Sequence, residues 1–133
     1  MEVEKSRTAI YHTNYHVVFC PKYRRRIFEG EKADYLTSLF RSMIEKRGWV
    51  VVAIEVRPDH VHLLINGIEP KLSLSAVVKY LKGVSGSALI RKYPELRDVL
   101  MKGRLWSKSY YVGTAGEVSS EVIQRYIERT EHD

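Results

Sequence analysis

Between positions 50 and 67 apolar and polar residues alternate around a two-residue break. Val50, Val51, Val52, Ile54 and Val56 run into Pro58-Asp59, and Val61, Leu63 and Ile65 follow at every second position. β-Branched runs on either side of a Pro-Asp pair predict a hairpin, with strands at 50–56 and 60–67. A period of two places His60, His62 and Leu64 on one face and Val61, Leu63 and Ile65 on the other. An earlier strand is predicted at 10–20, where Asn14, His16 and Val18 share one face and Tyr15, Val17 and Phe19 the other. Pro21 ends it, because proline has no N–H to give a ladder.

Elsewhere the period changes to that of a helix. Leu36, Leu39, Phe40, Met43 and Ile44 define one buried stripe over 31–47. Glu31 and Asp34 near its start and Lys46 and Arg47 near its end complement the helix dipole, and Gly48 stops it. Ser73 predicts the N-cap of a second helix with Leu74, Val77, Val78, Leu81, Val84, Ala88 and Leu89 as its stripe. Gly83 and Gly86 interrupt that stripe at about 1 kcal/mol each, which points to close approach of a backbone or a ligand. Pro94 closes the helix and 95–103 reads as an irregular connection. Trp106, Tyr110 and Tyr111 predict a strand at 105–112, which Gly113-Thr114-Ala115-Gly116 breaks. Ser119 or Ser120 caps a last helix, about 118–131, with Val122, Ile123, Tyr126, Ile127 and Thr130 on one side. The order strand, helix, strand, strand, helix, strand, helix predicts an α+β fold. It is a ferredoxin-like (RRM-like) antiparallel sheet with two helices on one face plus a C-terminal helix. The opposite sheet face is left open for His60 and His62.

Composition adds a partner class. The chain has 133 residues, 44% hydrophobic and 29% charged, as expected of one domain spanning 1–133. Cys20 is the only cysteine, so no internal disulfide is possible, which suits a reducing cytoplasm; it reads as a small buried hydrophobe. No signal peptide and no run of membrane-spanning length are visible, giving the expectation of a cytoplasmic protein with no membrane association. The net charge of +6 favours a polyanion, nucleic acid first. Lys22, Arg24, Arg25 and Arg26 form one basic block, and Lys102, Arg104 and Lys108 another. Nine tyrosines lie among them, and aromatic faces stack on unpaired bases.

Two imidazoles on one pleat face can converge on a divalent ion, which acts as Lewis acid on a phosphate. Two solvated histidines, or one satisfied core histidine, would give the same spacing. Glu55 on the partner strand and Asp59 in the turn can each supply an oxygen to the ion or orient a ring nitrogen. A closed structural zinc site is disfavoured by the single cysteine. His16, in mid-strand, can support the His60/His62 face if its strand is central. Phosphodiester chemistry also needs an attacking oxygen, either water or a side-chain hydroxyl. Tyr126 is the side-chain candidate, although a tyrosine in an apolar stripe is more often packing.

Four blocks of sequence carry a resemblance that spans nearly the whole chain. They are Tyr15-His16-Val17-Val18-Phe19 with Pro21-Lys22-Tyr23-Arg24-Arg25; Pro58-Asp59-His60-Val61-His62-Leu63-Leu64; Leu105-Trp106-Ser107-Lys108-Ser109-Tyr110-Tyr111; and Tyr126-Ile127-Glu128. In this order they resemble the single-tyrosine HUH transposases of minimal insertion sequences, the IS200-like family. The resemblance implies a ferredoxin-like homodimer that cuts and rejoins single-stranded DNA at hairpin-bearing ends through a 5′-phosphotyrosine link. It implies Mg²⁺ or Mn²⁺ held by His60, His62 and a further ligand, with Tyr126 as nucleophile. It also implies composite sites in which the tyrosine helix packs on the partner subunit.

The sequence departs from the pattern at Thr130, where the family often has a metal-binding glutamine. A neutral hydroxyl is a poorer ligand, so Glu55 is expected to supply the third contact, with Asp59 and His16 holding the site in place. Lys22, Arg24, Arg25, Lys82, Arg104 and Lys108 are the expected DNA contacts. Two competing expectations are a ferredoxin-like nucleic-acid-binding module without catalysis and a metal-dependent nuclease that uses water.

Overall fold

The computed structural model describes residues 13–100, 104–114 and 120–130. Four strands form one antiparallel sheet: β1 (Tyr15–Phe19), β2 (Val50–Arg57), β3 (His60–Asn66) and β4 (Tyr111–Thr114), in the order β2-β3-β1-β4. Two long helices, α1 (Glu31–Lys46) and α2 (Leu74–Lys92), lie between them in the chain. A short α3 (Leu96–Val99) and a final α4 (Ser120–Thr130) follow. This is the expected ferredoxin-like arrangement, with β1 central.

The core follows the two periods read from the sequence. Leu36, Phe40, Met43 and Ile44 of α1 and Val77, Val78, Leu81 and Leu89 of α2 are buried. They meet Val17 and Phe19 of β1 and Val61, Leu63 and Ile65 of β3 in one cluster. Ser73 caps α2, its hydroxyl accepting from the Ala76 amide at 3.1 Å. A register shift between Val51 and Ala53 breaks the β2–β3 ladder. This bulge reverses the alternation of β2. Val51 and Ile54, three positions apart, both pack on the core, and Glu55 and Arg57 fall opposite His62 and His60.

Three predicted boundaries move. The first strand is Tyr15–Phe19 rather than 10–20: Thr13, Asn14 and Cys20 lie outside the ladder, and 10–12 lie outside the described residues. The connection after Pro94 contains α3. The last strand is Tyr111–Thr114, not 105–112. Trp106 is spent on the core instead of the ladder: its ring is 3% exposed and meets Phe19 edge-on at 4.5 Å. The segment is pinned by Lys22 N–H to the Leu105 carbonyl at 2.8 Å and Ser107 N–H to the Cys20 carbonyl at 2.9 Å. Gly113, expected to break the strand, pairs with His16 inside it and adds no side chain beside that ring. Ala115, Gly116 and Ser119 lie outside the described residues.

Gly86 is explained by Trp106, since a Cβ there would lie 3.3 Å from the indole Cδ1. The expectation of an open second sheet face is corrected. α4 packs on it, with Val18, Cys20, Tyr126 and Ile127 forming a second buried cluster to which Tyr111 and Ile123 add. Among the described residues, no helix is long and apolar enough to cross a membrane.

Candidate active site

The second face of the sheet gathers most of the predicted chemistry. His60 and His62 project there from β3, Glu55 and Arg57 from β2, and His16 from β1. His16 Nδ1 and His62 Nε2 share a hydrogen bond of 2.6 Å, their rings 4.9 Å apart. One of the two nitrogens must carry the proton, so the other is its acceptor. Burial holds both imidazoles below their ordinary pKa; for His62 the nearby His16 and His60 add to this and Glu55 opposes it. Both are therefore neutral at pH 7, the form that ligates a metal.

The turn between β2 and β3 fixes His60. Asp59 Oδ1 accepts from His60 Nδ1 at 2.9 Å, which leaves the Nε2 lone pair available. Arg24 approaches the other carboxylate oxygen at 3.5 Å through Nε. The same guanidinium donates through Nη1 to the Ile127 carbonyl in α4 at 3.4 Å. Arg24 thus ties the tyrosine helix to the turn that orients His60. It reaches both from a left-handed backbone, Tyr23 and Arg24 having φ of 60° and 50° in the turn that follows Pro21.

Glu55 stands directly across from His62, but its carboxylate pairs with Arg57 at 2.8 Å and is half exposed. With His62 taken by His16 and Glu55 by Arg57, no three His, Cys, Asp or Glu side chains converge on a metal position among the described residues. The donor chemistry still suits a divalent ion. Two neutral imidazoles on one face lie beside a carboxylate held only by a solvent-exposed pair, which is weak. Thr130 ends α4 one turn beyond Tyr126, and its side chain lies outside those described.

Tyr126 is 8% exposed and lies in one buried cluster with Val18, the residue directly opposite His62 in the β1–β3 register. Its phenol donates to the Ser109 carbonyl at 3.0 Å. Lys82 comes from the other layer to the same peptide, its ammonium donating to the carbonyls of Ser107 at 2.5 Å and Ser109 at 3.3 Å. Burial, and then Arg104, lowers the Lys82 pKa to about 8. Arg25 is exposed beside the Tyr23 ring, Arg104 and Lys108 are exposed, and Lys22 is half-buried. Ser109 and Arg57, both in contact with predicted site residues, carried no signal in the sequence. A backbone carbonyl has no side-chain signature, and Arg57 takes this face by pairing with His60 at the turn.

A ferredoxin-like sheet with a histidine-bearing face, closed by a tyrosine-bearing helix, is the framework of a small DNA-processing enzyme. The chain matches the family described as "Transposase IS200 like" over residues 9–130, and it belongs to that family. It is 39% identical to the ISDra2 transposase TnpA of Deinococcus radiodurans, over the whole of this chain and 94% of that one. It is 38% identical to the transposase for insertion sequence element IS200 of Salmonella typhimurium, over 85% of this chain and 73% of that one. A crystal structure of a Deinococcus radiodurans transposase superposes with a TM-score of 0.85 at 35% identity, covering 93% of this chain and 95% of that one. A REP-associated tyrosine transposase bound to a REP hairpin shares the fold, with a TM-score of 0.55 at 12% identity, over 90% of this chain and 64% of that one. The protein is a DNA transposase, an enzyme that cuts and transfers DNA strands.

Proposed function

We propose that this transposase acts on single-stranded DNA with hairpin ends and that Tyr126 is its nucleophile. The phenol oxygen attacks the phosphorus of a phosphodiester and the bond to the 3′ oxygen breaks. That oxygen leaves with a proton as a free 3′-hydroxyl, and the 5′ phosphate stays on Tyr126. A phenol has an ordinary pKa near 10, so it must lose its proton as it attacks, and the phenolate is then a good leaving group in the reverse step. Retaining the bond energy in the tyrosyl ester lets the strand be rejoined without ATP.

His60 and His62 are the residues that would hold a divalent ion, with Glu55 as third donor once it turns from Arg57. Such an ion, Mg²⁺ or Mn²⁺, draws charge from a phosphate oxygen and so makes the phosphorus electrophilic. Asp59 fixes the His60 tautomer, and His16 stands ready to take back the His62 nitrogen. Lys22, Arg24, Arg25, Lys82, Arg104 and Lys108 would contact phosphates. A homodimer with composite sites belongs to the same reading, since an α4 exchanged between two copies would make the same cluster on the partner's sheet.

The observation that carries the reading is the burial of Tyr126 in one cluster with Val18, across the ladder from His62. Tyr126 and the histidines thus share one face, which supports the reading. The test is a denaturation-resistant protein–DNA adduct formed with Mg²⁺ on a single-stranded hairpin substrate. Wild type should give it and Tyr126→Phe should not. Cutting that persists in Tyr126→Phe would assign the attack to water, and binding without any cutting would reduce the protein to a nucleic-acid module.

A further inference from the structure

Gly83 has no explanation among the described residues. It sits inside α2, where glycine costs about 1 kcal/mol against alanine, yet a Cβ there would meet nothing within 4 Å. The space it faces is a cavity of about 610 Å³ between α2, α3 and residues 104–110, on the helix layer. Lys79, Lys82, Arg91, Arg97, Arg104 and Lys108 line it, and among the described residues no carboxylate does. A second cavity, of about 700 Å³, is walled by Lys22 and Ser109 and shares Arg104, Trp106, Ser107 and Lys108 with the first. The two adjoin along Arg104, Trp106, Ser107 and Lys108 as a two-part trough, with Arg91 and Arg97 on the first part and Lys22 on the second. The second part is also lined by Ser109, whose carbonyl accepts from the Tyr126 phenol.

We propose that this trough is a phosphate-backbone site for a single DNA strand, separate from the histidine face, and that Lys82 couples its occupation to release of the Tyr126 phenol. The proposal rests on the strand-transfer reading above and states where the strand lies. Charge selects the ligand: six cations and no anion among the described lining residues favour a chain of phosphates, and an open trough suits a flexible strand. The exposed face of Tyr110, with the Lys82 ammonium 5.7 Å from its ring centre, offers a base a surface to stack on.

The coupling follows from a shared acceptor. The Lys82 ammonium and the Tyr126 hydroxyl both donate to the Ser109 carbonyl, so the two groups lie within the sum of those bonds. A phosphate oxygen carries net charge where a carbonyl carries only a dipole, so the ammonium is drawn to the phosphate more strongly. A strand in the trough therefore draws Lys82 from Ser107 and Ser109, and the peptide that restrains the phenol loses one of its ties. The burial and the Arg104 charge that lower the Lys82 pKa make the exchange more favourable, because a phosphate satisfies the buried ammonium.

The test uses the full chain and a labelled single-stranded oligonucleotide without divalent metal, so that no cleavage is required. The slope of log affinity against log salt should shrink by about 0.7 for each cation removed in Arg91→Ala/Arg97→Ala. Gly83→Glu, whose side chain enters open space, should weaken binding by roughly tenfold or more by facing the phosphates with a like charge. Slopes and affinities equal to wild type in both variants overturn the site. For the coupling, the ¹³Cζ resonance of Tyr126 should move when the oligonucleotide saturates the protein. It should already be displaced, without DNA, in Lys82→Met. A resonance unmoved in both conditions overturns the link. An adduct formed at full rate by variants with unchanged slopes removes the trough and leaves strand transfer standing. Changed slopes with no adduct in wild type do the reverse.

Discussion

Ser85→Ala should destabilise the protein out of proportion to the single oxygen it removes. Ser85 is fully buried in α2, and its hydroxyl donates to the Leu81 carbonyl at 2.5 Å and accepts from the Trp106 indole N–H at 3.0 Å. Trp106 is itself 3% exposed and packed against Phe19, Phe28 and Gly86, so its N–H has little access to water. Leaving a buried donor unsatisfied costs about 1–3 kcal/mol, which for a chain of this size lowers Tm by roughly 4–12 °C. Urea unfolding should show a lower midpoint at an unchanged m-value. A double-mutant cycle isolates the bond, because Trp106→Phe has no N–H to orphan. In that background Ser85→Ala should cost less than about 0.5 kcal/mol, giving a coupling of about 1–2 kcal/mol. Equal costs of Ser85→Ala in the two backgrounds would refute the argument. The bond matters to the site because Trp106 leads into Ser107–Ser109, the segment from which the phenol hangs.

Other outcomes follow from the same contacts. Glu55→Ala should weaken Mn²⁺ binding severely by calorimetry if its carboxylate turns to the ion; unchanged affinity removes Glu55 as a ligand. Asp59→Ala should weaken it about 10–100-fold by freeing the His60 tautomer, and an effect under about twofold in the same titration would deny the aspartate that task. Lys82 has a folded pKa of about 8, below its unfolded value of 10.5, so the unfolded state binds more protons between those pH values. The penalty for burying its charge is fully present below about pH 8 and is relieved as pH rises toward the unfolded value. Wild type should therefore gain stability relative to Lys82→Met between pH 7 and pH 10 in urea unfolding, and a constant difference would count against the burial.

How much of this could be read from the sequence depended on how local the signal was. The hairpin of β2 and β3 and both long helices are written in short-range periodicity, with Pro58-Asp59, Ser73 and Gly48 as punctuation, and they formed as expected. The last strand was misplaced because Trp106 and Tyr110 have strand propensity, whereas the packing of Trp106 under α2 is a tertiary matter no window reveals. The His60/His62 face was legible from alternation alone. The companion residues were less so: His16 could be placed beside His62 only once β1 was known to be central. Glu55 was placed on the partner strand, but which neighbour its carboxylate would pair with was not legible, and it pairs with Arg57. The covering of that face by α4 was missed, since an amphipathic stripe says that a helix packs and not on which surface.

The two faces of the sheet are unequally filled. Among the described residues, twenty buried ones make the cluster under α1 and α2, and four make the one under α4. Local opening costs scale with the apolar surface that must be re-exposed, so the final helix can lift away while the rest of the molecule keeps its shape. A reactive side chain mounted this way can be sheltered at rest and presented on demand, and the scaffold that holds the histidines need not loosen to allow it.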